Sequence, residues 1–209
     1  MKSNQAKIGS FYLNHSFNGD FRLLSFLDVF TQSSYFKLQN SFRFLPWKKK
    51  ETNFYKQYEA LICPKNNCAI SSLYKKKFFY GFKKKLEIAL GKSIRNQIRI
   101  VAHKLITADE IGVHTDYCDP SLGYENYRFI FQFANPDQQN CGGEICFLNS
   151  NSKQDIIKRY PHISNGGVCF EISPRSYHYV TPVKGERYTL VMYLWDKDRN
   201  YDGSGFEVV

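Results

Sequence analysis

The spacing of apolar positions changes once along the chain. Phe78, Phe82, Leu86 and Leu90 recur every fourth residue and Gly91 follows them, which predicts a helix over 71–90 with one apolar stripe and a lysine-rich back. Beyond Gly91 the period shortens to two, and short strands are predicted at 97–105, 111–114, 127–134, 144–148, 168–172, 178–183 and 186–195. Turn signals separate them: Asn135-Pro136-Asp137, Gly142-Gly143, Asn165-Gly166-Gly167 and Lys184-Gly185. Many short strands at this spacing predict a mainly β sandwich or jelly roll, with the preceding helices covering one sheet.

The 209 residues suffice for a single domain with a sizeable core. No internal repeat or low-complexity linker divides them. The expected layout is a helical or irregular support region over about 1–95, a β core over about 96–196 and a tail over 197–209. The N-terminal MKSNQAKIGSFYLNHSF lacks a continuous apolar run, and no later segment reaches the ~20 apolar residues of a membrane span. A cytoplasmic protein with six reduced cysteines is therefore expected. Cys63 and Cys68 are spaced to clasp zinc, but the second close pair of a structural site is missing.

Charge is unevenly placed. Residues 1–100 hold 19 Lys/Arg and 5 Asp/Glu, whereas 101–209 hold 10 and 14, so the net charge of +10 belongs to the half without the candidate chemistry. Lysine triplets at 48–50, 75–77 and 83–85 carry much of it and read first as a solvated face.

That chemistry begins at Gly112-Val113-His114-Thr115-Asp116. In extended chain, residues i and i+2 point the same way, so His114 and Asp116 offer an imidazole nitrogen and a carboxylate oxygen to one point. A third ligand comes from His178 if Val183-Lys184-Gly185-Glu186 is a two-residue hairpin turn. Pairing Val183 with Glu186 sets His178 opposite Val191 and puts His178 and Arg187 on one face, about 13 Å apart at ~3.4 Å per residue. Such a gap suits a small dicarboxylate that chelates a metal at one end and pairs with a guanidinium at the other. Two imidazoles and a carboxylate form the facial triad of non-haem Fe(II) oxygenases.

Through IGVHTD, YRFIFQFANP, CGGEICFL and NGGVCFEISPRSYHYVTPVKGERYTLVMYLW, from about Val101 to Asp196, the sequence resembles the Fe(II)- and 2-oxoglutarate-dependent dioxygenases, specifically the prolyl-4-hydroxylase-like group. The resemblance implies a double-stranded β-helix with N-terminal helices on its major sheet. It also implies Fe(II) on His114, Asp116 and His178, 2-oxoglutarate on Arg187 with Thr189, and dioxygen as the third reactant. The implied reaction oxidises an unactivated C–H of an amino-acid side chain, in a peptide, protein or free amino acid, with succinate and CO2 as co-products. Related halogenases replace the carboxylate ligand, which Asp116 retains. The family's common tyrosine before the HxD motif is not evident, since Lys104 and Leu105 occupy that region.

Substrate contacts are expected from the loop 117–127, with Tyr117, Tyr124, Asn126 and Arg128 as candidates, and from N-terminal residues. The alternatives are a tailoring oxygenase acting on a small natural product, a nucleic-acid oxygenase and a non-catalytic jelly-roll binding module. Nucleobase-demethylating relatives carry a second arginine six residues after the first, where this chain has Tyr193. A binding module is expected to lose a ligand or the arginine, and all four residues are present.

Overall fold

A computed structural model describes residues 21–133 and 142–209 in full and the backbone of 12–18. Ala134, the turn at 135–137 and Cys141 lie outside the described residues.

In chain order, β1 (Tyr12–Asn18) and β2 (Phe21–Leu27) precede α1 (Gln32–Ser41). β3 (Lys48–Glu51) and β4 (Lys56–Ile62) lead to α2 (Lys76–Leu90), β5 (Ile94–Ile106), β6 (Ile111–His114), β7 (Tyr127–Phe133) and β8 (Ile145–Leu148). β9 (Ile156–Tyr160), β10 (Gly166–Glu171), β11 (His178–Val180), β12 (Glu186–Asp196) and β13 (Phe206–Glu207) complete the chain. The large sheet runs β1-β2-β10-β7-β12-β5-β4-β3, with β13 added beside β5, and the small sheet runs β6-β11-β8-β9. From β5 to β12 the chain alternates between the two, β5, β7, β10 and β12 in one and β6, the β8–β9 pair and β11 in the other. That alternation is the double-stranded β-helix implied by the family resemblance, a form of the jelly roll that the strand spacing predicts.

The period-2 pattern decides which layer each side chain enters. On β12, Leu190, Met192 and Leu194 face α1 and α2, where they meet Phe129, Phe131 and Phe133 of β7 and Phe78, Phe82 and Leu86 of α2 in the larger core. The intervening Val191, with Ile130 and Val168, packs toward Phe147 and Val180 of the small sheet. Arg187, Thr189 and Tyr193 share that inner face. A cavity of about 450 Å³ lies between the sheets.

Three expectations change. First, the 95 N-terminal residues contribute strands as well as helices: β2 extends the large sheet beside β10, and β4 extends it beside β5. Second, the helix predicted over 71–90 begins at Lys76, after a 3-10 turn at Ile70–Tyr74 and an extended Lys75. Val209 holds this segment as a strand partner would, since Val209 N–H donates to Tyr74 O and Lys76 N–H donates to Val209 O. Gly91 closes the helix in the left-handed conformation, as expected. Third, β11 and β12 do not form a hairpin. Val183 instead pairs with the turn after β5, donating to Asp109 O and accepting from Ala108 N–H, while Gly185 N–H donates to Thr107 Oγ1. The chain therefore crosses from one sheet to the other at 181–185.

Candidate metal centre and active-site cavity

His114 ends β6 and His178 begins β11, and the two strands pair with these residues opposite one another. Asp116, two residues past His114, turns back toward both. The possible ligand atoms of the three lie within 4.8 Å of one another, and the imidazole centroids are 4.3 Å apart. His178 is 5% exposed.

Each imidazole is held the same way. His114 Nδ1 lies 2.8 Å from Gly112 O and His178 Nδ1 lies 2.9 Å from Ser176 O. A carbonyl can only accept, so Nδ1 carries the proton and the lone pair of Nε2 faces inward. Asp116 Oδ2 sits 3.3 Å from His178 Nε2, and Asp116 Oδ1 sits 3.6 Å from His114 Nε2. Asp116 Oδ2 is buried without a hydrogen-bond partner. Burial, followed by the adjacent His114, lowers the His178 pKa and keeps that imidazole neutral. Two nitrogen lone pairs and an orphaned carboxylate oxygen turned on one another repel unless a cation lies between them, so the donor set fits a divalent metal.

Arg128 of β7 fixes the carboxylate, its Nη1 2.5 Å from Asp116 Oδ1 and its Nη2 2.5 Å from Glu125 Oε1. Burial pushes the Asp116 carboxyl up, but Arg128 leads the groups that outweigh it and hold the carboxyl well below the usual carboxylate range. The Asp116 carboxylate is thus charged throughout the physiological pH range.

Arg187 and Thr189 lie deeper on β12, 3% and 1% exposed, and both line the cavity. Arg187 Nε donates to Gly143 O at 2.9 Å. Gly143 has φ +69° and a Cβ there would lie 2.5 Å from Arg187 Cδ, so the predicted Gly-Gly turn is what lets this arginine pass. His178 and Arg187 line one cavity from opposing sheets, not from one face of a hairpin.

Among the substrate candidates, Tyr117 and Tyr124 line the cavity at 38% and 46% exposure, and Arg128 lines it beside Asp116. Asn126 is not brought there: its Oδ1 accepts from Asp196 N–H and its backbone joins Leu194 and Ile172. From the N-terminal half, the Phe54 ring lies tilted with its centroid 5.1 Å from that of His114, and the Phe54 carbonyl accepts from Gly112 N–H.

Sequence reading missed Arg99, His103, Glu59 and Tyr193, all on the cavity wall. His103 lies opposite Thr189 on one side and Glu59 on the other. Its Nε2 is buried without a partner, and burial, opposed by Glu59, lowers its pKa to about 4. The signal available was the run Arg99, Val101, His103, which places polar residues at every other position of the same strand face.

A double-stranded β-helix whose cavity is lined by a His-Asp-His cluster has the donor set of the non-haem iron oxygenases. Residues 101–203 match the 2OG-Fe(II) oxygenase superfamily. By sequence, none of the curated proteins matches. Among solved structures, the chain is similar to a prolyl hydroxylase from Trichoplax adhaerens in complex with a hypoxia inducible factor peptide fragment, at TM-score 0.64 and 16% identity, covering 90% of this chain and 84% of that one. It is also similar to a Pseudomonas putida prolyl-4-hydroxylase, at TM-score 0.65 and 10% identity over 92% and 93% of the two chains. A prolyl 4-hydroxylase from Phytophthora capsici gives TM-score 0.62 and 14% identity over 86% and 60%. Residues 101–203, which include His114, Asp116, His178 and Arg187, belong to the 2OG-Fe(II) oxygenase superfamily; the chain has the fold of the prolyl-hydroxylase-like group and is a 2-oxoglutarate-dependent iron dioxygenase using Fe(II), 2-oxoglutarate and dioxygen. No helix among the described residues is long and apolar enough to cross a membrane.

Proposed function

We propose that His114, Asp116 and His178 hold Fe(II), that Arg187 and Thr189 receive the far carboxylate of 2-oxoglutarate, and that the enzyme oxidises an unactivated C–H of an amino-acid side chain in a peptide, protein or free amino acid. Succinate and CO2 are the co-products. The observation that carries this reading is the convergence of two Nε2 lone pairs and the unpartnered Asp116 Oδ2 in the cavity that also contains the buried guanidinium of Arg187.

Bound iron supplies dioxygen activation and the polarisation of its ligands. The chain supplies placement. Gly112 O and Ser176 O orient the two imidazoles, and Arg128 orients the carboxylate. Val101, Ile130 and Val191 form an apolar floor between the metal ligands and Arg187, which strengthens a carboxylate–guanidinium pair formed beyond it. Tyr117 and Tyr124 edge the opening through which a side chain reaches the metal. A structural neighbour solved in complex with a peptide fragment supports the amino-acid side-chain reading over a nucleic-acid one.

The test is aerobic incubation with Fe(II), 2-oxoglutarate and a library of amino acids and peptides, followed by mass spectrometry. The expected result is succinate together with a 16-dalton gain on one library member. Succinate without any modified member, or no 2-oxoglutarate consumption at all, counts against the reading.

A further inference from the structure

The end of the cavity opposite Arg187 has its own charged wall. Three adjacent strands place Arg99 of β5, Tyr193 of β12 and Arg128 of β7 in one row, with Tyr193 paired to Arg99 on one side and to Arg128 on the other. Both guanidiniums lie over the same phenol ring, Arg99 Cζ at 5.5 Å and Arg128 Cζ at 4.8 Å from its centroid. Burial pushes the Tyr193 pKa up to about 12, so the ring is a neutral platform.

The two cations differ in what neutralises them. Arg128 is committed to Asp116 and Glu125, and Lys50 at the opening is committed to Glu59. Arg99 has no carboxylate within salt-bridge distance among the described residues, and its guanidinium lies over the Tyr193 face. Its guanidinium still lines the cavity. Arg99 is remote from the 2-oxoglutarate end, because six residues of β12 separate Tyr193 from Arg187, about 20 Å at ~3.4 Å per residue. A five-carbon diacid anchored at Arg187 does not reach that far. The contacts Arg99–Tyr193–Arg128–Asp116 instead connect it to the carboxylate of the proposed metal ligand.

We infer that Arg99, stacked on Tyr193, is a specificity-determining residue that binds a carboxylate of the primary substrate while the carbon to be oxidised lies at the metal. The inference rests on the oxygenase reading above and narrows its substrate to an acidic one, carrying either the α-carboxylate of a free amino acid or an Asp or Glu side chain in a peptide. A planar guanidinium whose fork matches a carboxylate suits that role better than a lysine.

The test uses the Fe(II)-loaded protein with 2-oxoglutarate and four pools: free amino acids, the same amino acids as α-carboxamides, hexapeptides bearing one Asp or Glu, and their Asn or Gln counterparts. Succinate formation above the pool-free background is read for the wild type, Arg99→Gln and Arg99→Lys. The expected result is at least tenfold greater stimulation by one carboxylate pool than by its amide counterpart, the responding pool identifying the source of the carboxylate. Arg99→Gln should erase that difference and weaken anaerobic calorimetric binding of the responding pool at least tenfold, with 2-oxoglutarate affinity and Tm unchanged; Arg99→Lys should fall between. Equal response to acid and amide pools, no response to any pool, or an Arg99→Gln protein that still prefers the acid overturns the inference. Failure of the wild type to bind 2-oxoglutarate overturns the oxygenase reading beneath it.

Discussion

Removing the Arg187 guanidinium tests the far end of the cavity quantitatively. Arg187 is 3% exposed, so a carboxylate paired with it is shielded from water and salt. Truncating one partner of a buried charged pair costs about 2–5 kcal/mol, which at about 1.4 kcal/mol per decade is roughly a 30- to 4,000-fold loss of affinity. Arg187→Ala should therefore weaken 2-oxoglutarate binding within that range. Arg187→Lys keeps the charge but loses the fork and should lie between it and wild type. The substitution also removes the Nε donor to Gly143 O, so some loss of Tm, worth about 1–3 kcal/mol for an unsatisfied buried carbonyl, is expected alongside. The assay is anaerobic calorimetric titration of 2-oxoglutarate into the metal-loaded protein, with circular dichroism to show that the variant is folded. A folded Arg187→Ala protein that binds 2-oxoglutarate within twofold of wild type refutes the placement of the far carboxylate.

Other substitutions probe the scaffold. Gly143→Ala introduces a Cβ 2.5 Å from Arg187 Cδ at φ +69°, so Tm and 2-oxoglutarate affinity should fall together; no change in either would show that this close approach is not maintained in solution. Phe82 is fully buried and meets the Phe129 ring edge-on at 4.6 Å, so Phe82→Ala should cost about 3–5 kcal/mol; a thermal melt within about 2 °C of wild type is incompatible with this packing. Burial, with Arg187 nearby, lowers the His162 pKa from 6.5 to about 3. The unfolded chain takes up this proton as pH falls through 6.5 and the folded chain only near 3, so stability held above 6.5 is lost between the two, by on the order of a few kcal/mol. Denaturant titrations across that window should show a shallower acid slope for His162→Gln, and identical slopes would remove His162 from the account.

How much was visible in the chain depended on the range of the interaction involved. His114 and Asp116 were legible because i and i+2 share a face wherever the backbone is extended, a local fact. The strand 111–114 fell where predicted, and Gly91 stopped its helix, because both are set by neighbouring residues. The partner of β11 was misread because Lys184-Gly185 has the composition of a hairpin turn, whereas Thr107, Ala108 and Asp109 of another segment take up the backbone of Val183 and Gly185. The outcome, His178 and Arg187 on one cavity, was reached by the wrong geometry. β3 is a lysine run and β9 reads IIKRY; their alternation is weak because β3 is exposed at a sheet edge and β9 lies on the small sheet's outer margin. Arg99, His103 and Tyr193 become one wall only once β5 and β12 are known to pair, a contact across about ninety residues of sequence that no local pattern records.

Every proposed role in the cavity depends on a metal held by His114, Asp116 and His178. Anaerobic titration with Fe(II), with bound metal quantified after desalting, tests it most directly. Wild type should retain one equivalent, and Asp116→Ala and His178→Ala should each retain almost none while keeping the wild-type circular dichroism spectrum. One tightly held equivalent in either folded variant would contradict the assignment.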